Sequence, residues 1–413
     1  MFLLKRFHQD NFQRINTVIE SLHGHLTGYI NLIGSSSLPF PEVCEAASLP
    51  ASGCRVEGHL NTRYFPGTEP IDQVEIIAEN AIRSLFDFDN RYSISIQPHS
   101  ATQANHIVWK AVLQRGDTVL GLALNSGGHI SHILGLPEGI IFKEIPFNND
   151  GINYEGLDCL IKDLRPRIVV AGTSSYPMGI NYERISDSCS AVGAWLHADI
   201  AHMAPFIVSG IQPQVVPYAD SVTIDTSKNL RGPKGGVLLF DSRFNKQFRR
   251  AIFPLCQSSP NQSSMVAKAC CFEIWLKRDI NDYARQIVNN SKIMMRIFKE
   301  KGIRPVFADT ESHLILIDLR GLGITGREAE ELLENNKILV NRNSIPGEMR
   351  SASVASGIRV GTTAVTILGY QENDVKLLAE TISDVLSRNK TDQKAVSYLI
   401  DKYHSKISNI SNR

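Results

Sequence analysis

The sequence predicts an α/β protein in which a mostly parallel sheet is covered by helices on both faces. Three observations lead to this prediction. Short apolar segments without polar alternation recur between residues 118 and 240, as expected of strands buried on both faces. Helical patterns or loops separate these segments, which is typical of an α/β sheet. The chain of 413 residues is too long for one ordinary hydrophobic core, so two domains are expected.

The first part of the chain predicts helices on either side of a long irregular segment. Residues 11–30 predict a helix and arm, with apolar side chains at helical spacing. Residues 31 to about 70 are rich in Ser, Pro and Gly, and so long a segment without periodicity is expected to be functional or to pack on a partner subunit. An amphipathic helix is predicted over about 71–85, and another over 100–114, which Gly116 ends.

Six apolar segments predict the strands of the sheet. They cover residues 118–122, 140–142, 168–172, 195–199, 222–225 and 236–240. A long helix over about 263–300 then leads to a second domain, which begins near Arg304 and contains a strand at 313–318. Helices over about 372–388 and 393–407 close the chain, and the tail is expected to fray. The expected division is an N-terminal helix or arm (1–30), a large domain (31–275), and a linking helix with a smaller domain (276–413).

Composition limits the functional classes. Apolar residues make up 43% of the chain and charged residues 21%, which fits a folded globular protein. The net charge of +1 gives no reason to expect binding to nucleic acid or to membranes. The seven cysteines are odd in number and lack the spacing of metal sites, so neither a metal site nor a disulfide framework is expected. Neither a membrane-spanning run nor a signal-peptide core is found, and a cytoplasmic protein is predicted.

A lysine and an aspartate, each at the end of a predicted strand, indicate the chemistry. Lys228 follows the 222–225 strand and precedes a turn at Gly232, where its amine can react with a carbonyl group. Alone, it would equally fit a solvated loop lysine. Asp199 ends the 195–199 strand. Pyridoxal phosphate (PLP) requires both groups, because a lysine binds its aldehyde and a carboxylate keeps its ring nitrogen protonated. Together they predict a PLP enzyme.

Three further segments offer groups that bound PLP needs, and each has an ordinary alternative. Ser100 and Thr102 stand at the start of a helix, where hydroxyls suit a phosphate or simply cap the helix. His129 lies in a Gly-rich turn after a strand, and its flat ring suits stacking on a pyridine, unless it is incidental there. Ser174 follows another strand, where its hydroxyl suits the phenolic oxygen of PLP or a local turn.

Two charged residues in apolar surroundings are candidates for contact with a substrate. Glu57 lies in a loop with aromatic residues, which suits a proton shuttle with a raised pKa, or a solvated glutamate. Arg359 is flanked by apolar residues in a predicted strand, where its charge must be compensated. Its planar fork suits the α-carboxylate of an amino acid, and the alternative is a structural ion pair.

In their order and spacing these segments resemble the serine hydroxymethyltransferase family, from about residue 32 to residue 362. The most specific matches are Gln97–Asn105, Gly127–His132, Asp199 with His202, Lys228 with 230–233, and 340–346 before Ser356–Arg359. The resemblance implies PLP fold type I, with a seven-stranded, mostly parallel sheet in a large domain and a smaller C-terminal α/β domain. It also implies a homodimer, or a tetramer, whose active sites are shared between subunits.

The resemblance also implies a role for each matching residue. Lys228 would bind PLP covalently, Asp199 would pair with its ring nitrogen, and His129 would stack on its ring. The other residues implied in PLP binding are Ser100, Ala101, Thr102, Ser174, His202 and Thr226. Those implied in binding a small amino-acid substrate are Ser35, Tyr64, Phe65 and Arg359. Glu57 would be an acid/base group contributed across the dimer, and Asn343 lies in a segment that contacts folate in the family.

The departures from the family pattern lie where the family surrounds the substrate and folate, and in a segment that contacts the PLP phosphate across the dimer. Arg55 and Phe65 stand where the family usually has tyrosines, and Ser227 stands where it has a histidine. Ser36-Ser37 replace Glu-Asn, and Ser258-Ser259 replace Gly-Gly. We therefore expect an intact PLP site with remodelled surroundings. The expected reaction is hydroxymethyl transfer between serine and glycine with tetrahydrofolate. The alternatives are a related aldolase, transaldolase or α-methylserine enzyme, and a catalytically inactive scaffold protein.

Overall fold

The computed structural model describes residues 13–148, 150–388, 392–403 and 407. The tail expected to fray and the first twelve residues of the predicted arm lie outside them. Within the described residues the chain forms two compact units. The larger unit is Glu42–Arg285, and the smaller one combines the described parts of Met1–Pro41 and Gln286–Arg413. No helix in these ranges is both long enough and apolar enough to cross a membrane.

The secondary structure is numbered here in chain order. The strands β1–β17 are Ile30–Asn31, Gly58–His59, Thr62–Arg63, Tyr92–Ser95, Thr118–Gly121, Ile141–Glu144, Phe147–Asn148, Gly151–Ile152, Ile168–Gly172, Trp195–Asp199, Ser221–Asp225, Gly236–Asp241, Arg304–Pro305, Leu314–Asp318, Ile338–Leu339, Asn341–Asn343 and Gly357–Gly361. The helices α1–α15 are Gln13–Gly28, Pro41–Ala47, Glu69–Phe86, Ala101–Val112, Ile130–Ile133, Tyr154–Leu164, Tyr182–Val192, Ala204–Val208, Asn245–Arg250, Gln262–Lys277, Ile280–Glu300, Gly326–Asn335, Thr363–Leu368, Glu372–Arg388 and Gln393–Tyr403.

The larger unit is built on a seven-stranded sheet in the order β4-β12-β11-β10-β9-β5-β6. Every pair from β11 to β6 is parallel, and β12 alone runs against both of its neighbours. All residues of β9, β10, β11 and β12 are buried, which explains their continuous apolar sequences. The predicted fold type is confirmed, although β4 is a seventh strand that the apolar segments did not predict.

A buried lysine ties this sheet to the loop before helix α4. The Lys268 ammonium on α10 is fully enclosed and donates to the carbonyl oxygens of Ile96, Pro98 and Gly236, at 2.6, 2.7 and 3.0 Å. Ser100 follows at once, and its Oγ accepts the backbone N–H of Gln103 at 3.0 Å as the cap of α4. The three carbonyl contacts compensate the buried charge and hold the start of α4 against β12.

The smaller unit contains a four-stranded antiparallel sheet in the order β13-β14-β17-β16. Alternating residues of β14 and β17, such as Ile315, Ile317, Ile358 and Val360, enter its hydrophobic core together with helices α11, α12, α14 and α15. A separate pair, β1 with β15, is parallel and aligns Ile30 with Ile338. The N-terminal segment therefore belongs to the C-terminal core.

Two predicted elements need correction. The single helix expected over 263–300 is two helices, because the chain breaks at residues 278–279 and the Asp279 carboxylate accepts the N–H of Asp282, at 2.9 Å, in the first turn of α11. The segment from 31 to 70 is not structureless, since it contains α2 and the short β2–β3 hairpin. In that hairpin Asn61 takes a left-handed conformation with φ of 61°, which Asn tolerates better than most residues.

Candidate active site

A cavity lies at the carboxyl ends of the parallel strands of the larger unit, where α/β proteins usually bind ligands. The space between its lining residues, including the part open to solvent, is about 480 Å³. Its lining residues are Ser100, Ala101, Thr102, Asn105, His129, Thr173, Asp199, Ala201, His202, Asp225, Lys228 and Lys234. Seven residues implied in PLP binding therefore meet in one cavity of a single chain.

Asp199, the last residue of β10, is an ionised carboxylate in a buried position. Its Oδ2 accepts Asn105 Nδ2 at 2.7 Å and His132 Nε2 at 2.8 Å, and its Oδ1 accepts the N–H of Ala201 at 3.0 Å. Burial alone would raise the pKa of Asp199. The hydrogen bond and charge of His132, together with the charges of His129 and Lys228, outweigh burial and hold the pKa far below its ordinary value. Such a carboxylate can retain a proton on a ring nitrogen opposite it.

His129 is placed by a glycine turn that leaves no room for a side chain. A Cβ on Gly128 would lie 1.9 Å from the carbonyl oxygen of Leu122, so only glycine fits there. His129 then caps the short helix α5, with its Nδ1 accepting the N–H of Ser131 at 3.2 Å and 2.8 Å from the Ser131 hydroxyl. Both contacts fix the imidazole plane where it lines the cavity.

The N-terminus of α4 supplies a site for an anion. Ser100, Ala101 and Thr102 line the cavity there, and the first N–H groups of a helix attract negative charge. Ser100 thus both caps the helix and lines the cavity. Lys234, which the sequence did not single out, adds an exposed cation to the lining.

Lys228 lies in a turn that a second strand-end carboxylate organises. Oδ1 of Asp225, which ends β11, accepts the N–H and the Oγ–H of Ser227, both at 2.8 Å, and the N–H of Lys228 at 3.2 Å. Asp225 is 4% exposed and lines the cavity beside Lys228. Sequence reasoning missed Asp225, although its place at a strand end directly before the lysine motif was a usable signal.

Two of the implied cofactor residues do not line the cavity. Thr226 is fully buried, and its hydroxyl donates to the carbonyl oxygen of Pro233 at 2.7 Å. Its structural role is therefore to close the turn that follows Lys228. Thr173 takes the lining position next to Ser174, and Ser174 contributes a backbone N–H to the carbonyl oxygen of Gly127, at 2.7 Å.

Glu57 lies away from this cavity, in a loop held by a buried arginine. Nη1 of Arg63 donates to the carbonyl oxygens of Val56 and Gly58, at 3.2 and 3.1 Å, on either side of Glu57. The same guanidinium pairs with Asp72 at 2.8 Å and Glu75 at 3.0 Å. The Oε2 atom of Glu57 is enclosed and has no hydrogen-bond partner in the described part of the chain. The loop therefore presents one carboxylate oxygen that its own chain does not use.

Three of the residues that depart from the family pattern, Arg55, Phe65 and Ser259, lie in this loop or contact it. Tyr64 and Phe65 are 74% and 44% exposed, and Arg55 is also exposed. Ser259, in place of a glycine, accepts the N–H of Val56 at 3.0 Å through its hydroxyl. Two of the departures are thus linked in space, because Ser259 holds the residue that follows Arg55.

The predicted substrate residues Ser35 and Arg359 belong to the smaller unit. Arg359 on β17 is 8% exposed, and its Nε donates to Asn341 Oδ1 at 3.1 Å. Burial lowers the pKa of Arg359 to about 10, so it remains a cation at neutral pH. Gly34, next to exposed Ser35, makes room for this side chain, because a Cβ there would lie 3.0 Å from Nε of Arg359. Asn343 stands on the neighbouring strand β16.

The lining of the cavity matches the chemistry of PLP group by group. Lys228 offers the amine for the aldehyde, Asp199 an ionised carboxylate for the ring nitrogen, and His129 a flat ring. The start of α4 offers the phosphate its N–H groups and hydroxyls. This fit, together with the seven-stranded sheet, defines a PLP-dependent enzyme of fold type I.

Comparison with known proteins identifies the family. The sequence model described as serine hydroxymethyltransferase matches residues 9–382. Serine hydroxymethyltransferases of Paracidovorax citrulli and an Acidovorax species are each 36% identical over 386 residues, which is 92% of both chains. That of Bordetella avium is 38% identical over 362 residues, 87% of this chain and 86% of its own. The chain belongs to the serine hydroxymethyltransferase family, whose PLP-dependent members act on amino acids with tetrahydrofolate as co-substrate.

The Arg63 cluster predicts a strong, pH-dependent loss of stability on substitution. Arg63→Met leaves the buried carboxylates of Asp72 and Glu75 without their cation, which should lower the free energy of unfolding by roughly 3–5 kcal/mol at about pH 8. Burial raises the pKa of Glu75 and Arg63 opposes that shift, so the pKa rises further in the variant. Between the unfolded and folded pKa values the folded state then binds more protons, and its stability falls as pH rises.

Urea unfolding of Arg63→Met and wild type at about pH 5 and pH 8 measures this effect. The difference between the two proteins should be smaller at pH 5, where Glu75 can be protonated. Arg249→Met is the matched control. Arg249 contacts the same hairpin through Thr62, at 2.8 Å, and its loss keeps the ion pairs of Asp72 and Glu75 with Arg63. Equal losses for both variants, or a loss independent of pH, would contradict the assignment.

Proposed function

We propose that the protein transfers the hydroxymethyl group of serine to tetrahydrofolate, releases glycine, and catalyses the reverse reaction. The observation that carries this proposal is the shared cavity of Lys228, Asp199 and His129 at the N-terminus of α4. Membership of the family supplies the amino acid and the folate. The seven cysteines are all free thiols, which supports the predicted cytoplasmic location.

PLP, when bound, accepts the electrons left on the amino acid Cα after a bond to that carbon breaks. Lys228 would hold the aldehyde of PLP through its side-chain amine. Asp199 keeps the ring nitrogen protonated because the hydrogen bonds of Asn105, His132 and Ala201 hold the carboxylate in its ionised form. Ser100, Thr102 and the N–H groups of α4 hold the phosphate, with Lys234 adding positive charge.

We assign the substrate side chain to Glu57 and the substrate carboxylate to Arg359. The unused Oε2 of Glu57 is suited to accept the proton of the substrate hydroxyl as the Cα–Cβ bond breaks. Arg359 carries a guanidinium fork that can bind a carboxylate through two parallel hydrogen bonds. Ser35 follows Gly34, the residue that lies against Arg359 in the same unit, and is assigned to the same substrate.

A homodimer with shared active sites is part of this proposal. Within one chain Glu57, Tyr64 and Phe65 do not line the cavity of Lys228, and the two aromatic residues are largely exposed. A second copy that brings its own 55–65 loop to the cavity would complete the site. Arg55, Tyr64 and Phe65, which are exposed in the single chain, would then be buried in the dimer.

A related aldolase, transaldolase or α-methylserine enzyme is the second candidate. Phe65 lacks the hydroxyl of the family tyrosine, and Ser227, in place of a histidine, is directed to Asp225. Loss of one hydroxyl from a buried substrate site is worth on the order of 1–3 kcal/mol. These changes affect the substrate side chain and leave the PLP residues in place. An inactive scaffold, by contrast, would have no use for an ionised buried Asp199.

The first prediction concerns the cofactor link. The protein purified with PLP should show a visible absorption band, and Lys228→Ala should lose it because the amine that binds the aldehyde is gone. Lys234→Ala is the control, since Lys234 lines the same cavity and has no covalent role. Absorption spectra of wild type, Lys228→Ala and Lys234→Ala measure this band. A band that survives in Lys228→Ala would show that another amine holds the cofactor.

The second prediction concerns the carboxylate. Arg359→Lys loses the planar fork and should weaken glycine and serine binding by roughly 1.5–3 kcal/mol, while the PLP spectrum stays unchanged. Titration of each amino acid, followed by the change in the cofactor spectrum, gives the dissociation constants. Arg320→Lys is the control, because Arg320 binds Asp318 in the same unit, at 2.8 Å. Unaltered affinity in Arg359→Lys would make Arg359 a structural residue.

The third prediction separates the two candidate reactions. Serine, threonine and α-methylserine are incubated with the enzyme, with and without tetrahydrofolate, and glycine or alanine release is followed. Fast cleavage of serine only with folate is expected. Phe65→Tyr should raise serine turnover by about tenfold if the missing hydroxyl orients the substrate. Exchange of the threonine side chain with added aldehydes, without folate, would establish the second candidate instead.

A further inference from the structure

A chain of hydrogen bonds runs behind Asp199, from β11 and β10 to α4. Nε1 of Trp195 donates to Ser221 Oγ at 2.8 Å, and Ser221 Oγ lies 2.8 Å from His197 Nδ1. His197 Nε2 lies 3.0 Å from Asn105 Oδ1, and Asn105 Nδ2 donates to Asp199 Oδ2 at 2.7 Å. Three side chains thus connect an indole in the sheet to the carboxylate that faces the cavity.

Every group in this chain is shielded from water. His197, Ser221 and Asn105 are fully buried, and Trp195 and Asp199 are 7% and 6% exposed. Burial lowers the pKa of His197 to about 3, so the ring is neutral and carries one N–H. Because a buried polar atom without a partner is destabilising, each donor must meet an acceptor here.

The Asp199 end of the chain fixes its direction. The ionised Asp199 only accepts hydrogen bonds, so Asn105 must turn its NH₂ group towards it and its Oδ1 towards His197. His197 must therefore carry its proton on Nε2 and accept at Nδ1 from the Ser221 hydroxyl. At the other end the Trp195 indole only donates, which satisfies a lone pair of Ser221 Oγ. The Asp199 end sets the orientation of every group between them, and the Trp195 contact is compatible with it.

The chain also branches towards the second cofactor residue. The other N–H of Asn105 Nδ2 donates to Ser131 Oγ at 3.0 Å, and Ser131 Oγ lies 2.8 Å from His129 Nδ1. Trp109 packs edge-on against His197, with ring centroids 5.3 Å apart, and limits rotation of the imidazole. The orientation of one amide therefore serves both the carboxylate and the stacking histidine.

We propose that His197 is a positioning residue for PLP chemistry, because its Nε2–H holds the Asn105 amide in the one orientation that donates to Asp199. This inference rests on the proposed function, since Asp199 is taken as the partner of the ring nitrogen. His197 does not line the cavity and acts only through Asn105. If the Nε2–H of His197 is removed, Asn105 Oδ1 becomes a buried acceptor with no partner in this chain of groups. The orientation of the Asn105 amide is then no longer fixed.

The variants His197→Phe and His197→Gln test this role. Phenylalanine keeps a ring but removes the donor, whereas glutamine places an N–H close to the position of Nε2. Titration of the apoprotein with PLP should show a dissociation constant roughly 5- to 100-fold larger for His197→Phe than for wild type. In His197→Gln the affinity should be largely restored. The kcat for serine should fall while its KM stays near the wild-type value. Equal loss in both variants would overturn the proposal.

Two controls separate positioning from general damage. Thr223→Val changes a buried hydroxyl on the same sheet, one without a hydrogen-bond partner among the described residues, and should leave PLP affinity unchanged. In an Asp199→Asn background, His197→Phe should cause little further loss of PLP affinity. The ionised Asp199, on which His197 acts through Asn105, is already absent there. The same fold-change in both backgrounds would mean that His197 has only a structural role.

The apoprotein gives an independent measurement. ¹⁵N spectra of histidine-labelled protein, with the His197 signal assigned by its absence in His197→Phe, report the protonated nitrogen. A neutral ring with the proton on Nε2 is expected across the range in which a free imidazole titrates. A proton on Nδ1 would overturn the proposed direction of the chain. A wild-type protein that fails to bind PLP would refute the proposed function. The His197 tautomer would still show whether the hydrogen-bond chain has the proposed direction.

Discussion

The ionised carboxylate of Asp199 is the constraint on which the surrounding structure depends. A charge enclosed by protein is costly unless several donors meet it, and here the donors come from three separate segments: Asn105 on α4, His132 after β5, and the backbone of Ala201 after β10. Those segments can meet only if β5, β9 and β10 are adjacent and parallel, as they are. Lys268 also helps to position these donors, because it holds the loop before α4, and α4 carries both Asn105 and the anion site.

Neighbouring strand ends carry two carboxylates with different tasks. In the parallel register Asp199 aligns with Thr223, so Asp225 lies two residues further along β11. Asp199 receives its hydrogen bonds from Asn105, His132 and the backbone of Ala201, and the resulting ionised carboxylate is suited to a ring nitrogen. Asp225 instead binds Ser227 and the N–H of Lys228, and so determines where the lysine leaves the sheet. In the proposed site, the same residue type thus faces the ring nitrogen in one place and positions the lysine in the other.

The sequence predicted the parts of the site that depend on local pattern. Lys228, Asp199 and His129 follow buried strands, and parallel strands bring their ends together. The strand Tyr92–Ser95 was missed because it is short and alternates buried with half-buried residues instead of forming an apolar run. The partners of His197, which are Ser221 and Asn105, lie 24 and 92 residues away in the sequence, so no local pattern contains them. The break at residues 278–279 was hidden because helical spacing resumes after it.

The pairing of β1 with β15 has a consequence for synthesis of the chain. Ile30 meets Ile338, about 300 residues later, and the whole larger unit is inserted between them. A ribosome that adds about 5–20 residues each second completes Glu42–Arg285 well before Ile338 emerges. The first strand to be made is therefore among the last to find its partner. During that interval the nascent chain carries an unpaired apolar segment at its leading end, and a chain truncated before residue 338 would keep it permanently.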